Sequence, residues 1–396
     1  MTGPLQGIRI LDLSRILAGP YATQLLADMG ADVIKVERPG AGDDTRAWGP
    51  PYVTDDAGHE SRESAYYLAA NRNKRSIAVD MTDPAQVDRL RQMAGRCDVV
   101  IENFKRGGLC KYGLDHATLC AAHPRLVYCS ITGYGQTGPN ADKPGYDLMA
   151  QAYAGIMAIT GAPGADPMKV GVGIADMMCG MYASTAILAA LRHRDATGEG
   201  QHIDLALVDA TMSWLANAGT NFLMDGSESR FGNQHPNIVP YQVFQASDGH
   251  LIVAAGNDRQ FAAFCGILGL DALARDPRFA TNPSRLDHRD TLIALLQDRI
   301  VAWRKADLIA AMDRAGVPGG PIHTLPEVFA SDQAQARGIV VRMDHPDAGP
   351  DGIRLIGNPV KFSRTPVTYR RPPPRCGEHT QEIRDEFFPD MPPKEP

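Results

Sequence analysis

Short apolar runs alternate with amphipathic stretches through the first third of the chain. Gly7-Ile-Arg-Ile-Leu-Asp-Leu-Ser14 is rich in Ile and Leu and predicts a strand. Ala18-Gly-Pro20 opens a helical stretch over Tyr21 to Met29, because proline suits a first helical turn. Gly30 ends that helix, and Ala31 to Glu37 predicts the next strand. Strand, helix and strand within about 30 residues make a βαβ unit, whose crossover favours parallel pairing. The pattern repeats with Ser76 to Asp80 as strand, Asp83 to Arg96 as helix, Asp98 to Glu102 as strand, His116 to Ala122 as helix and Arg125 to Ile131 as strand. A doubly wound α/β domain is expected.

Beyond it the period changes. Ala150 to Arg192 reads as helical, with small residues spaced to let helices approach closely. Its most apolar part, Met177 to Leu191, falls short of the roughly 20 residues that span a bilayer and reads as a buried helix. Gly198 to Gln201 predicts a turn and His202 to Leu207 a strand. Gly226 to Pro240, rich in Gly, Asn, Pro and Ser, marks a domain boundary. A second unit begins with Gly249 to Ala255 as strand and Asp258 to Leu268 as helix, and Pro318-Gly-Gly-Pro321 marks a hinge after it.

The 396 residues suggest two or three domains at roughly 100 to 200 residues each. Lys and Arg number 40 against 46 Asp and Glu, a formal charge of -6, whereas a nucleic-acid binder carries a basic excess. Cys97, Cys110, Cys120, Cys129, Cys179, Cys265 and Cys376 are scattered singly, without a C-x-x-C pair. That spacing argues for reduced thiols in the cytoplasm and against a disulfide scaffold or structural zinc. The N-terminal Met-Thr-Gly-Pro-Leu-Gln-Gly lacks the basic and apolar segments of a secretory signal, so neither export nor a membrane partner is expected.

Glu37 closes the second strand where a dinucleotide-binding fold has its acidic residue, yet Arg15-Ile-Leu-Ala-Gly-Pro20 has one glycine where G-x-G-x-x-G has three. A nicotinamide or flavin site is therefore not supported. The 11 histidines show no metal-ligand spacing, and neither a G-x-S-x-G elbow nor a Walker loop is present. By elimination, covalent chemistry falls to a carboxylate. Asn71-Arg-Asn-Lys-Arg75 stands directly before one strand, while Glu102-Asn-Phe-Lys-Arg106 and Arg38 follow others. Such cations with one aromatic suit a phosphate-rich ligand such as coenzyme A, although a solvated basic face has the same composition. Gly133-Tyr-Gly-Gln-Thr-Gly-Pro139 and Pro144-Gly-Tyr-Asp147 expose backbone, and Asp147 reads equally as a helix cap or as a reactive carboxylate. Asp176 lies in an otherwise apolar helix, where a carboxylate costs several kcal/mol unless it is paired.

Leu-x-Gly-Ile-Arg-Ile-Leu-Asp-Leu with Leu-Ala-Gly-Pro-Tyr-Ala, Gly-Ala-Asp-Val-Ile-Lys-Val-Glu-Arg-Pro, Asn-Arg-Asn-Lys-Arg-Ser, Glu-Asn-Phe and Pro-Gly-Tyr-Asp occur in this order between Leu5 and about Phe388. Together they resemble the class III coenzyme A transferases of the CaiB/BaiF type. Gly40 to Pro51 and Ser130 to Pro139 are similar to the succinate/hydroxymethylglutarate branch, so a dicarboxylic acceptor is expected.

The resemblance implies a large Rossmann-like parallel-sheet domain built from both chain ends and a small α/β domain, in a homodimer of two interlocked rings. The corresponding segments here are 1–225, 226–320 and 321–396. It makes Asp147 the nucleophile and places Ile16, Ala18, Arg38, Lys74, Asn103, Phe104 and Lys111 at coenzyme A. The family often has Gln at the position of Leu17 and Arg at that of Lys111. The resemblance implies coenzyme A as a substrate, supplied as an acyl thioester, with no permanent cofactor and no metal expected. Asp147 would pass through a mixed anhydride to an aspartyl-CoA thioester, which a free acid then takes over. Arg15 or Arg46 is a candidate fork for a second carboxylate, and Gly256 and Asn257 a candidate cover.

Two other functions compete. The related α-methylacyl-CoA racemases have His where this chain has Tyr146, and Asp176 matches only one of their two bases. A non-catalytic acyl-CoA-binding protein would need Asp147 to lie away from the ligand.

Overall fold

Six of the apolar runs line up in one parallel sheet in the computed structural model, which describes residues 3–228 and 230–389. The strands stand in the order Lys74–Ala78, Asp32–Glu37, Arg9–Asp12, Val99–Glu102, Val127–Thr132 and His202–Ala206. Ile10 faces Val33 on one side and Val99 on the other. In chain sequence this is the order 3-2-1-4-5-6, doubly wound, with its switch point between the first and fourth strands.

Alternation along each strand decides which face a side chain joins. Ile10, Val33, Val99, Val127 and Cys129 pack under the helices Ala18–Asp28 and Ile174–Thr197. Leu11, Ile34, Ile77, Val100 and Tyr128 pack on the other face, with Leu90 and Met93 of Pro84–Ala94 and with Ile383 and Phe387 of the C-terminal helix Thr380–Phe387. Both faces are dry, which is why these strands read as nearly continuous apolar runs. Gly180 permits the close crossing of the two helices on the first face: a Cβ there would stand 2.7 Å from the Ala18 carbonyl oxygen.

The chain divides into two units. The first takes the residues up to Ile156, Val170–Trp214 and those from Gln333 onward; the second takes Met157–Lys169 and Leu215–Asp332. In the first, Asp28 ties the later segment to the opening helix. Its buried carboxylate accepts from Arg72 Nε and Nη2 at 3.0 and 2.6 Å, from Asn73 Nδ2 at 2.8 Å and from Asn358 Nδ2 at 3.2 Å. Arg72 also donates to the Ile356 carbonyl at 2.8 Å. The second unit is built on the antiparallel strands Gly319–Pro321, Gly249–Ala254 and Tyr241–Ala246, whose Phe244, Leu251 and Val253 meet Phe261, Phe264, Leu292 and Met312 from its helices.

Three readings of the pattern differ from the structure. The helical stretch from Ala150 to Arg192 is broken into Asp147–Tyr153, Ile156–Ile159 and Ile174–Thr197, because the glycines and prolines between 160 and 173 suit a loop better than a helix. Pro318-Gly-Gly-Pro321 supplies an edge strand, with Gly320 opposite Ile252. The hairpin strands Tyr52–Thr54 and Glu60–Ser64, and Val340–Met343 with Ile353–Ile356, escape the pattern because they are short and largely polar or exposed.

Asp28→Ala leaves the Arg72 guanidinium buried without a counter-charge. A loss of about 3–5 kcal/mol in urea-unfolding stability is expected, and a loss below 1 kcal/mol would show that the Asp28 pairing is not a structural tie.

Candidate active site

The turn that follows the first strand is stretched over a buried ionic framework. Asp12, fully buried, accepts from Ser14 N at 2.9 Å, Thr23 Oγ1 at 2.6 Å and Lys74 Nζ at 3.2 Å. Lys35 Nζ reaches the Ser14 carbonyl at 3.1 Å and Asp43 Oδ2 at 2.8 Å. Burial alone would raise the Asp43 carboxyl, but the Lys35 ammonium overrides it and brings the group down to about 2. Asp43 then accepts from the backbone N–H of Ile16 at 3.2 Å. That bond holds Ile16 at φ 71°, a left-handed conformation that a β-branched residue rarely adopts.

The strained turn places its neighbours across the switch point. Arg15 N donates to Asn103 Oδ1 at 2.9 Å, and Asn103 Nδ2 returns to the Arg15 carbonyl at 2.7 Å. Phe104 N donates to Glu102, whose carboxyl is pushed up to about 7 by burial against the Ser130 and Phe104 hydrogen bonds. Around these residues lies a cavity of about 330 Å³ at the carboxyl ends of the strands, lined in part by Arg15, Arg38, Asp44, Met81, Phe104 and Tyr112. Arg15 and Arg38 are exposed and share Asp44, at 2.5 and 3.2 Å. Lys111 is exposed with its Nζ 4.6 Å from the centre of the Tyr112 ring.

Not every predicted cation faces this cavity. Lys74 is fully buried and spends its three donors on Asp12, the Pro20 carbonyl and Asn71. Burial lowers its pKa to about 8 in spite of Asp12. Arg46 is buried between Glu37 and Glu63, with its guanidinium over the Tyr67 ring, so it supports the framework and offers no free fork.

Asp147 opens the helix Asp147–Tyr153. Its loop is set by backbone contact: a Cβ on Gly145 would lie 2.1 Å from Gly133 Cα, so only glycines let Gly133-Tyr-Gly and Pro-Gly-Tyr-Asp147 cross. The carboxylate is not capping its own helix. Oδ1 accepts from Ala175 N at 2.8 Å and Asp176 N at 3.3 Å, in the first turn of Ile174–Thr197, and Oδ2 accepts from Gln151 Nε2 at 2.7 Å. A Cβ on Gly173 would sit 3.3 Å from Leu17 Cδ2 and 3.6 Å from Asp147 Oδ1, so a side chain at 173 would crowd both. Asp147 does not itself line the cavity at Arg15. Asp176 is 9% exposed; burial first, and the charge of Asp147 second, push its carboxyl up to about 7. Burial and the charges of Asp176, Asp147 and Asp43 likewise push Tyr66 up to about 12. Tyr146 is 62% exposed.

Gly256 and Asn257 lie in the second unit. Asn257 caps the helix Asp258–Ile267 by accepting from Gln260 N, and Gly256 N donates to Gln260 Oε1, the bonds of a strand-to-helix turn. Gln151 and Tyr66 were missed in the sequence. Gln151 had a readable signal, four residues beyond Asp147 on one helix face; Tyr66 had none beside the buried Tyr67.

A doubly wound sheet with cations and an aromatic at its switch point, and a carboxylate held by amides beside it, defines an α/β enzyme for an anionic ligand. The model of CoA-transferase family III matches residues 5–380. Succinate–glutarate CoA-transferase of Agrobacterium fabrum is 50% identical over 97% of this chain and 96% of its own length. Human succinyl-CoA:glutarate CoA-transferase is 44% identical over 97% of this chain and 86% of its own. The crystal structure of a CaiB/BaiF family protein from Brucella suis superposes with a TM-score of 0.85 at 47% identity, covering 98% of this chain and all of that one. The chain belongs to CoA-transferase family III and is a class III CoA-transferase.

A folded carboxyl that titrates near 7 keeps a proton which the unfolded chain releases near 3.8. Its contribution to stability is therefore complete below about 4 and fades as pH rises to about 7. Asp176→Asn does not ionise, so it should raise Tm over the wild type more at pH 8 than at pH 4.5. An equal difference at both pH values in thermal melts would contradict this titration.

Proposed function

We propose that this enzyme moves coenzyme A from an acyl-CoA donor to a free dicarboxylic acid through an aspartyl-CoA thioester on Asp147. The observation that carries this reading is the Asp147 carboxylate itself, ordered by Gln151 Nε2 and the backbone N–H groups of Ala175 and Asp176. Attack of Asp147 on the thioester carbonyl gives a mixed anhydride and CoA thiolate. The thiolate then attacks the aspartyl carbonyl, releases the donor acid and leaves the thioester on Asp147. An acceptor carboxylate reverses both steps. No water enters and no proton is needed, so the energy of the thioester is passed on.

The exposed Arg38 and Lys111, the cavity-lining Phe104 and the turn at Ile16 and Ala18 are assigned to coenzyme A, with Lys74 acting from beneath by holding Asp12. Arg15 is the fork for the second carboxylate of the acid, since its guanidinium is exposed whereas that of Arg46 is filled. The relatives named for transfer between succinate and glutarate support a dicarboxylate of about that length. Proton abstraction in the manner of a racemase is disfavoured, because an exposed Tyr146 is a weak base at neutral pH. The apolar side chains left exposed on the helix Ala216–Asp225, with Leu223 at 83% and Met224 at 82%, support burial against a second copy. A monomer in sedimentation equilibrium at assay concentration would exclude that homodimer. The seven free thiols suit a reducing cytoplasm.

Incubation with succinyl-CoA should leave a hydroxylamine-sensitive adduct on Asp147, and Asp147→Ala should abolish exchange of label between CoA ester and free acid. Exchange at the wild-type rate by that variant would remove Asp147 from the mechanism. With the wild type, dicarboxylic acceptors should react faster than monocarboxylic ones. Arg15→Ala should cost roughly 10–100-fold in kcat/KM for the dicarboxylates alone; an equal loss for both acid types would remove Arg15 from acceptor recognition.

A further inference from the structure

The reading above gives Asp147 one role, yet its carboxyl group must do two unlike things. As a nucleophile it offers a lone pair. When thiolate or acceptor acid later attacks its carbon, one of its oxygens must carry the negative charge of a tetrahedral intermediate.

The contacts of the two oxygens differ in kind. Oδ1 is held by backbone N–H groups of Ala175 and Asp176, fixed in the first turn of a 24-residue helix. Such donors need no reorganisation when charge grows on the oxygen they face. Oδ2 is held by a side-chain amide. Gln151 is fully buried, and its Oε1 accepts from Val170 N at 2.9 Å, which turns its NH2 group toward Asp147. The Asp176 carboxyl, 9% exposed and without a hydrogen bond of its own among the described residues, stands in the same turn. When it is protonated it adds no second charge there.

We propose that Gln151 and the first turn of Ile174–Thr197 form a two-sided cradle that assigns Oδ2 of Asp147 to bond formation and Oδ1 to the oxyanion. Gln151 is a positioning residue in this scheme. It aims Oδ2 at the donor carbonyl and releases it as the new C–O bond forms and the C–S bond breaks, with the electron pair leaving on the CoA sulfur. When the thiolate attacks Asp147 Cγ, charge develops on Oδ1 against the Ala175 and Asp176 amides. The bond from Cγ to the bridging oxygen then breaks, and the donor acid departs as a carboxylate carrying the former Oδ2. The acceptor acid returns one oxygen to Asp147 when the thiolate is transferred to it.

This inference rests on Asp147 being the nucleophile, and the experiment separates the two. Acceptor acid labelled with oxygen-18 is turned over with succinyl-CoA, and the peptide containing Asp147 is weighed by mass spectrometry. The wild type should gain label; no label would overturn both the nucleophile and the cradle. Single-turnover formation of the aspartyl-CoA thioester is then compared in Gln151→Glu and Gln151→Leu, each checked for its fold by circular dichroism. Gln151→Leu should form it ~100-fold more slowly, the scale of a misplaced reacting atom, with KM for acyl-CoA unchanged.

An introduced carboxyl keeps the acceptor for Val170 N in either charge state but donates to Asp147 only when protonated. Gln151→Glu should therefore approach the wild-type rate as pH falls and lose it at pH 8, where its charge opposes Asp147. If Gln151 served only to anchor Val170, Gln151→Glu would match the wild type throughout. A labelled wild type together with a wild-type rate for Gln151→Glu at pH 8 would overturn the cradle alone.

Discussion

The structure depends on charges buried in pairs beneath the turn at residues 13–18. Lys35 with Asp43 and Lys74 with Asp12 have no exposed side-chain surface, and Arg46 with Glu37 has almost none. Ions taken out of water are costly unless each has its partner in place, so this framework tolerates few alternative arrangements. It spans the first three strands of the sheet and the short 3-10 turn Asp44–Ala47. Through the bond from Ile16 N to Asp43 it holds an isoleucine in a strained backbone conformation. Rigidity of this kind suits a site that must hold an anionic ligand at the switch point.

Chemistry follows from how that rigid turn meets two helix starts. Orientation of the Asp147 carboxylate falls to Gln151 and to the backbone amides of Ala175 and Asp176. Asp176 in the same turn stays largely protonated up to about neutral pH, because burial and the Asp147 charge both oppose its ionisation. The Asp176 carboxyl thereby keeps its proton well above the pH at which a free carboxyl loses it, next to the carboxyl group of Asp147.

The sheet was legible because its information is local. Alternation of Ile10 and Leu11, or of Val99 and Val100, states that both faces are covered, and Gly30 and Pro20 punctuate the helices that cover them. The loop between 160 and 173 was read as helix because its small residues satisfy a helical period over short windows, while its several glycines and prolines act together. Arg38 and Phe104 were singled out in the sequence from their place after strands, and both line the cavity. Lys74 and Arg46 looked the same in the sequence and turned inward, because nothing adjacent to them reveals the distant carboxylates that they meet.

By itself the sequence determined the α/β class, the run of βαβ units and, through its ordered motifs, the likeness to the CoA-transferases of family III. Only the tertiary structure decided what the Asp147 carboxylate touches. Spacing of two, three or four residues records which side of a strand or helix a residue occupies. The amides that hold Oδ1 lie 28 and 29 residues away, and the loop that carries Asp147 is set by the crossing at Gly133 and Gly145. Such a meeting is a property of the closed fold, since it depends on the packing of whole elements and leaves no periodic trace in the order of residues.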